Sequence, residues 1–588
     1  MKKITFVNQN KEIYFAEQET IAQACAKAGF SLNMVCGGKG TCKKCKVTIE
    51  ENGSRREVLA CQEKIKADTK IYLEDSDFSH SASILTATNS LQVALSPAVK
   101  KIFLTAEQLL APPYSSNWEH IQKLVKSKLH PPSLELLQKL SMLNQNKELT
   151  GLTLVCWNDV LLDIEENDTT KRSFGLAIDL GSTSIVAYLY DLNSGTKVGT
   201  FSALNSQISE GADVITRINT AINQPDGLAR LQQKVIATIN KLIEEASSSL
   251  ALSSWEIYTI AICGNSAMQH LFLGLNPGSL GRTPFTNIIL DQVTIQAKEL
   301  DIQINPNGII HFLPLIGGFV GADTTAVLLS LSEDELKETK LIVDLGTNGE
   351  LLLGNEQGFY ATSTAAGPAL EGATIEFGMR GTNGAIEKVK LSGGTVETQV
   401  IGSEKARGIC GSGIIDAVAE MLKIGVINKK GRLLTAEEYL EICSTEHKGL
   451  AANLGKVNNI NVFYLTKEIY ISQKDIRSVQ LAKSAICTGC LLLMNEYGLE
   501  GSQLKEILIS GAFGNYIDVD NAKTIGLIPN FENVPVRSIG NAAGTGTINF
   551  LLSAPLRANT SEILQKVTHV NLAAHPDFQK IYFENINF

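Results

Sequence analysis

Hydrophobic and polar positions divide this chain into stretches of different texture. Residues 3–7 and 12–16 alternate like two short strands around a polar turn, and Thr20 to Ala28 keeps its apolar residues on one side of a helix. After a cluster of cysteines the pattern predicts a strand at KVTIE, a charged turn from Glu51 to Glu57 and a last strand near KIYLE, closing a small α+β module over residues 1–75. Residues 76–96 are rich in Ser, Thr and Asn with weak periodicity, as an exposed linker would be. Residues 97–170 read as a small middle domain, with strand-like KIFLTA, helical WEHIQKLVKSKL and SLELLQKLSML, and strand-like LTLVCW and VLLDIE. From 171 to 588, buried-strand runs ending in Gly-rich turns alternate with long helical patterns, the texture of sheets covered by helices.

Length changes this picture only by requiring several cores, since 588 residues exceed what one core supports. The 44% hydrophobic and 19% charged content fits folded domains throughout. A net charge of -9 with no basic stretch interleaved with aromatics argues against nucleic acid as a partner. The start has only a short apolar run, and no later segment is expected to approach bilayer-spanning length, so a cytoplasmic protein without membrane attachment is expected.

The cysteines carry the first chemistry. Four of the eleven lie between Cys36 and Cys61. Cys36, Cys42 and Cys45 form a C-x5-C-x2-C array with glycines between the first two, and Cys61 follows in LACQ. Four thiolates complete a 2Fe-2S centre, and glycines let the backbone wrap closely around it. Four cysteines also suit structural zinc, but a zinc ribbon would offer two CxxC knuckles where this chain has one. With its β-β-α lead-in the module resembles a 2Fe-2S ferredoxin. Its x5 spacing departs from the plant type, and the Cys45–Cys61 interval is short for a ferredoxin, which leaves Cys61 the least secure ligand. Cys487 and Cys490 share a helix face and read as packing. Cys25, Cys156, Cys263, Cys410 and Cys443 read as ordinary buried thiols.

Gly-rich turns carry the second chemistry. In FGLAIDLGSTSIVAYLYDL, Asp179 ends a buried strand and Gly181, Ser182, Thr183 and Ser184 form the turn. In KLIVDLGTNGELLLG the same logic returns with Asp344, then Gly346, Thr347 and Asn348. Two such hairpins can hold a triphosphate on amides and hydroxyls while the aspartates hold Mg2+. One alone would be ordinary hairpin chemistry. No GxxxxGK[ST] or kinase catalytic loop competes with this reading.

The pair of hairpins resembles the phosphate motifs of the actin, Hsp70 and hexokinase superfamily. That likeness puts Asp323, in GGFVGADTTAVLLSL, where the superfamily has a catalytic acid. It makes Gly411, Ser412 and Gly413 a second connecting segment, and Gly511 and Gly514 the adenosine turn. A ferredoxin domain ahead of an actin-like ATPase, with GLAIDLGSTS, GADVITRI, CGNSAMQHLFLGLNP, STAAGPALEGATIEFGMRG and SGAFGNYI, resembles over its whole length the reductive activators of corrinoid proteins.

The resemblance implies a multidomain α+β and α/β chain: a β-grasp ferredoxin-like domain, a small α/β middle domain and a duplicated actin-like (ribonuclease H-like) ATPase. Its cofactors would be a 2Fe-2S cluster, ATP and Mg2+. Its partners would be a corrinoid protein of a methyltransferase system and an upstream low-potential electron donor, and a homodimer is compatible with it. A plant-type cluster near about -400 mV is a weaker reductant than a Co(I) corrinoid. A gap of roughly 100–200 mV costs about 2–5 kcal/mol per electron, which gives ATP a reason to be present. The chain has no D-x-H-x-x-G corrinoid signature, so the corrinoid belongs to a partner. Activation of a radical dehydratase, or a redox-sensing ATP-binding scaffold, remain the alternatives. The small-residue run 362–372 reads either as a tight packed turn or as the surface that meets the corrinoid, with the Ser363 hydroxyl near cobalt.

Overall fold

A computed structural model describes residues 2–588 except 16–18, 29, 31, 33–39, 41–44, 52, 74–92, 126–127, 147, 212, 347, 373 and 512–516. The N-terminal module is a five-stranded sheet in the order Lys11–Phe15, Lys2–Phe6, Thr69–Tyr72, Lys46–Glu51, Ser54–Leu59, in which Lys2–Phe6 and Thr69–Tyr72 pair in parallel and the other neighbours antiparallel. Helix Ile21–Lys27 covers one face, and Ile4, Phe6, Ile21, Cys25, Ile49 and Ile71 form the core between them. This is the β-grasp arrangement.

One expected feature is corrected here. The charged turn 51–57 is mostly a strand, Ser54–Leu59, paired with Lys46–Glu51, and the turn itself narrows to Gly53 at φ +78°. Charges stand opposite one another across the ladder, Arg55 on Glu50 at 2.9 Å and Arg56 on Glu51 at 3.0 Å. Such pairs let a charged edge strand form without apolar alternation.

The large C-terminal part holds two six-stranded sheets that share a five-strand order, the sixth strand being added at opposite edges. In the first, Phe174–Leu180 pairs antiparallel with Ser184–Asp191 and parallel with Ile257–Cys263. In the second, Lys340–Leu345 pairs antiparallel with Gly349–Asn355 and parallel with Glu506–Ser510. The strands are buried on both faces and read as continuous apolar runs, as a sheet covered by helices must. The halves meet through two crossing helices, Ala322–Leu329 and Ala542–Leu552. A Cβ on Gly546 would lie 1.7 Å from the Ala326 carbonyl oxygen, so only glycine permits this approach.

The segment from 97 to 170 is a three-stranded antiparallel sheet of Val99–Thr105, Gly151–Trp157 and Val160–Glu166 with two helices, Asn117–Val125 and Leu134–Leu143. It shares a core with its neighbour, because Val99, Val155 and Leu162 pack into the cluster built on the first six-stranded sheet. Polar contacts reinforce the seam. Lys101, with 1% of its side chain exposed, pairs with Glu165 at 2.7 Å and lies 4.7 Å from the Tyr258 ring centre, while the Tyr258 hydroxyl donates to Glu165. Of the expected linker, residues 76–92 lie outside the described residues. Its end is fixed: Ser96 exchanges backbone hydrogen bonds with Leu552 and Ala554.

One helix does have the length and apolarity to cross a membrane, contrary to expectation. Gln473–Tyr497 has 25 residues and a mean hydropathy of 1.2 in its most apolar window, 78% of which is buried inside the protein. It lies under strands Gly349–Asn355 and Gly358–Thr364 and is covered by Phe578–Glu584, so its apolar faces belong to the core. Cys487 and Cys490 are buried on it, as packing requires.

Candidate functional site

Sheet topology brings the two Asp-Gly hairpins to the same end of the molecule. Asp179 and Asp344 occupy equivalent places at the ends of their central strands, and Asp323 is the second residue of the crossing helix Ala322–Leu329. Each aspartate is recessed yet only partly covered. Desolvation by the surrounding protein pushes Asp344 up to about 7 and Asp323 up to about 6, and the charges of Asp179 and Asp323 both act on Asp344. Glu350, facing Asp344 on the other strand of the second hairpin, is more deeply buried and is raised well above the usual carboxyl range, by burial first and then by Asp323 and Asp344. Among the described residues none of these four carboxyls has an ion-pair partner. A recessed group of acids without a counter-charge fits a divalent cation and its waters.

The first hairpin is held from behind by its carbonyls, leaving donors forward. A Cβ on Gly181 would come 2.6 Å from the Ser184 carbonyl. The Asn205 side chain donates to the Gly181 carbonyl at 2.9 Å and its amide to the Thr183 carbonyl at 3.0 Å. Buried Arg217 donates to the Ser182 carbonyl. The Asn265 amide donates to Ser182 Oγ at 2.9 Å, so that hydroxyl's own hydrogen remains available to an acceptor such as a phosphate oxygen. In the second hairpin the Gly346 amide reaches the Asn348 carbonyl at 3.0 Å; Thr347 lies outside the described residues. Gly511 has φ +103°, and a Cβ there would meet the Leu345 carbonyl at 2.4 Å and Asp344 Oδ1 at 2.9 Å. Gly511 is thus laid directly against the second hairpin; Gly514 lies outside the described residues.

Gly411, Ser412 and Gly413 open helix Gly411–Lys423 but are engaged with the protein. Ser412 Oγ donates to the Glu387 carbonyl at 3.0 Å, and a Cβ on Gly413 would stand 2.3 Å from the Ile386 carbonyl. Their evident task is close packing of helix on strand. Ser363 is half-buried, and its hydroxyl donates to Glu350 Oε1 at 3.2 Å, which ties the 362–372 segment to the acidic group.

Several participants escaped the sequence reading. Cys263 is no ordinary thiol: its Sγ stands 3.9 Å from Asp179 Oδ1, and burial with the Asp179 charge pushes it well up. Asn541 caps helix Ala542–Leu552 and donates to Asp179 Oδ2 at 3.0 Å. Glu350, Asn265 and Arg217 complete the set. For Asn265 and Asn541 the local signal was Asn before a helical run, which marks a cap and says nothing of what else it touches, and for Glu350 it was a place opposite Asp344 in the same hairpin. Cys443 departs from expectation in a smaller way, being half-buried.

In the ferredoxin module Cys45 and Cys61 are buried near the same end of the sheet; Cys36 and Cys42 lie outside the described residues. The Ala60 amide donates to the Cys45 carbonyl at 2.8 Å, binding the two segments together. Gln62 Nε2 lies 3.6 Å from Cys61 Sγ. Gly40, in the loop between the other cysteines, has φ +73°, and a Cβ there would meet Gln62 Cγ at 2.9 Å. Gly40 therefore lies against the residue that follows Cys61, which suits one cluster bound by both segments.

Three family profiles match in chain order. They are a 2Fe-2S iron-sulfur cluster binding domain over residues 5–66, the RACo middle region over 174–335, and the C-terminal domain of RACo, the ASKHA domain, over 338–588. The corrinoid activation enzyme RamQ of Eubacterium limosum is 40% identical across 100% of this chain and 99% of its own length. A [Co(II) methylated amine-specific corrinoid protein] reductase of Methanosarcina barkeri is 25% identical over 71% of this chain and 77% of its own. Among solved structures, a reductive activator for a corrinoid, iron-sulfur protein superposes with a TM-score of 0.76 at 28% identity, covering 100% of this chain and 98% of that one. The chain belongs to the family of reductive activators of corrinoid proteins, which join a 2Fe-2S ferredoxin domain to an actin-like ATPase.

Proposed function

We propose that this chain uses ATP to return the Co(II) corrinoid of a partner protein in a methyltransferase system to Co(I). The observation that carries the reading is the meeting of two Asp-Gly hairpins, whose acids act on one another, in a chain that aligns end to end with a corrinoid activation enzyme. A 2Fe-2S cluster on Cys36, Cys42, Cys45 and Cys61 would supply the single electron.

The chain's own residues divide the remaining work. Gly181, Ser182, Thr183, Ser184, Gly346, Thr347 and Asn348 present amides and hydroxyls to the phosphates. Asp179 and Asp344 would hold Mg2+, which would neutralise phosphate charge, and Asp323 would orient the attacking water. Gly511 and Gly514 let the backbone approach the adenosine, while Gly411, Ser412 and Gly413 hold the wall beside it. The segment 362–372 meets the corrinoid protein. Ser363 hangs from Glu350, so the partner surface and the nucleotide site share a hydrogen bond. ATP helps an uphill transfer only by favouring a partner geometry in which Co(I) is the better-bound state. The enzyme acts in the cytoplasm, fed by a low-potential donor, with no nucleic acid or membrane as partner, and a homodimer is compatible with this role.

Anaerobic mixing with a Co(II) corrinoid protein tests this. Co(I) absorbance should grow only with Mg2+, ATP and a reductant together; growth at the same rate without ATP would remove the ATPase from the function.

A further inference from the structure

Helix Ile21–Lys27 of the ferredoxin domain packs against the 3-10 turn Ser206–Ser209 of the actin-like part. On one side this contact leads to the cysteines. The Ala22 amide donates to the Ala60 carbonyl at 2.8 Å and the Ile21 amide to the Glu63 carbonyl at 2.9 Å. Ala60 precedes Cys61, and its own amide donates to the Cys45 carbonyl.

On the other side the contact leads to the first hairpin. Asn205 caps the turn and holds the Gly181 and Thr183 carbonyls. Arg217 is fully buried and donates to the Ser182 carbonyl, to the Gly211 carbonyl at 2.9 Å and to Gln207 Oε1 at 3.3 Å. One guanidinium thus joins the hairpin to the turn and to the chain leaving it. Gln207 is in turn fixed to the Leu231 carbonyl at 2.9 Å. The route from hairpin to Cys61 is short and contiguous.

We propose that the turn Ser206–Ser209 is the docking surface of the ferredoxin domain and that nucleotide on the first hairpin controls the docking. The inference rests on the reading of Gly181–Ser184 as phosphate-binding. A triphosphate would fix the amide and hydroxyl side of the hairpin, while Asn205 and Arg217 hold the carbonyl side of the same residues. Ordering one side orders the other, and the turn then presents a rigid face to helix Ile21–Lys27. Loss of phosphate loosens that face and frees the ferredoxin domain to carry the cluster toward the partner. Nucleotide and docked ferredoxin favour each other, as reciprocal coupling requires.

Hydrogen exchange on the cluster-loaded full chain, with and without Mg2+ and a non-hydrolysable ATP analogue, tests the idea. Nucleotide should slow exchange about fivefold or more over 179–184, 206–211 and 21–27 together. Ile208→Glu puts a charge into the half-buried turn and should abolish the response at 21–27 while leaving that at 179–184. No response at 179–184 would overturn the phosphate reading itself. A response there with none at 21–27 in the unaltered chain, or a response at 21–27 that survives Ile208→Glu, would overturn the docking proposal.

Discussion

At the scale of residues, the site is a group of carboxyls set where charge is costly. Asp344 is pushed up to about 7 and Asp323 up to about 6 by desolvation, with Asp179 close enough to add to both. Their unfolded values sit near about 4. Between those limits the folded state holds more protons than the unfolded one, so nucleotide-free stability falls as pH rises from about 4 to about 7. The melting temperature of nucleotide-free protein should therefore drop between pH 5 and pH 8. Asp344→Asn should flatten that slope, and Mg2+ with ATP should restore stability at the upper end by favouring the ionised carboxylates. An unchanged slope in Asp344→Asn, read by differential scanning fluorimetry, would place the titration elsewhere. Asp179 and Asp344 were legible in the sequence because each closes an apolar strand just before a Leu-Gly turn, and Asp323 through the likeness of its helix to a connecting segment of the superfamily. Cys263 and Asn541 were not, since they reach Asp179 across 84 and 362 residues, and Glu350, although it faces Asp344 across the second hairpin, sits on a strand the sequence marks only as buried.

At the scale of elements, the periodicities identified most strands and helices, and the failures share a cause. Strand Ser54–Leu59 has the pattern of a turn because its stability comes from cross-strand ion pairs. Helix Gln473–Tyr497 is apolar because it is covered on several sides, which its length alone does not reveal. The crossing of helices Ala322–Leu329 and Ala542–Leu552 was invisible, though it positions Asp323. Gly546→Ala should force these helices apart, because the new Cβ would lie 1.7 Å from the Ala326 carbonyl oxygen. A loss of about 1–3 kcal/mol in stability is expected. ATP hydrolysis should weaken as well, since Ala326 lies one turn beyond Asp323. Chemical denaturation alongside an ATPase assay checks both; unaltered values would mean that the crossing does not set the acid's position.

At the scale of the whole molecule, the three-stranded unit over residues 97–170 is joined to the actin-like part through a shared core and a buried polar seam. Lys101→Met leaves Glu165 without its cation and should cost about 3–5 kcal/mol. Equilibrium unfolding should register this as loss of the C-terminal part too, because Glu165 also accepts from Tyr258. A separate, earlier transition of that unit would show that the seam is weak. The domain order itself was legible from the change in texture along the chain. The seam was not, because Lys101, Glu165 and Tyr258 are far apart in sequence and ordinary in composition.

The central claim is that ATP chemistry at Asp344 drives reduction of a partner's corrinoid. Its most direct measurement is the rate of Co(I) appearance in a corrinoid protein at saturating ATP, comparing the unaltered chain with Asp344→Ala loaded with the same iron, two per chain. Co(I) formation and ATP hydrolysis should both disappear in Asp344→Ala while the 2Fe-2S absorption is kept. Equal Co(I) rates in the two proteins would contradict the account.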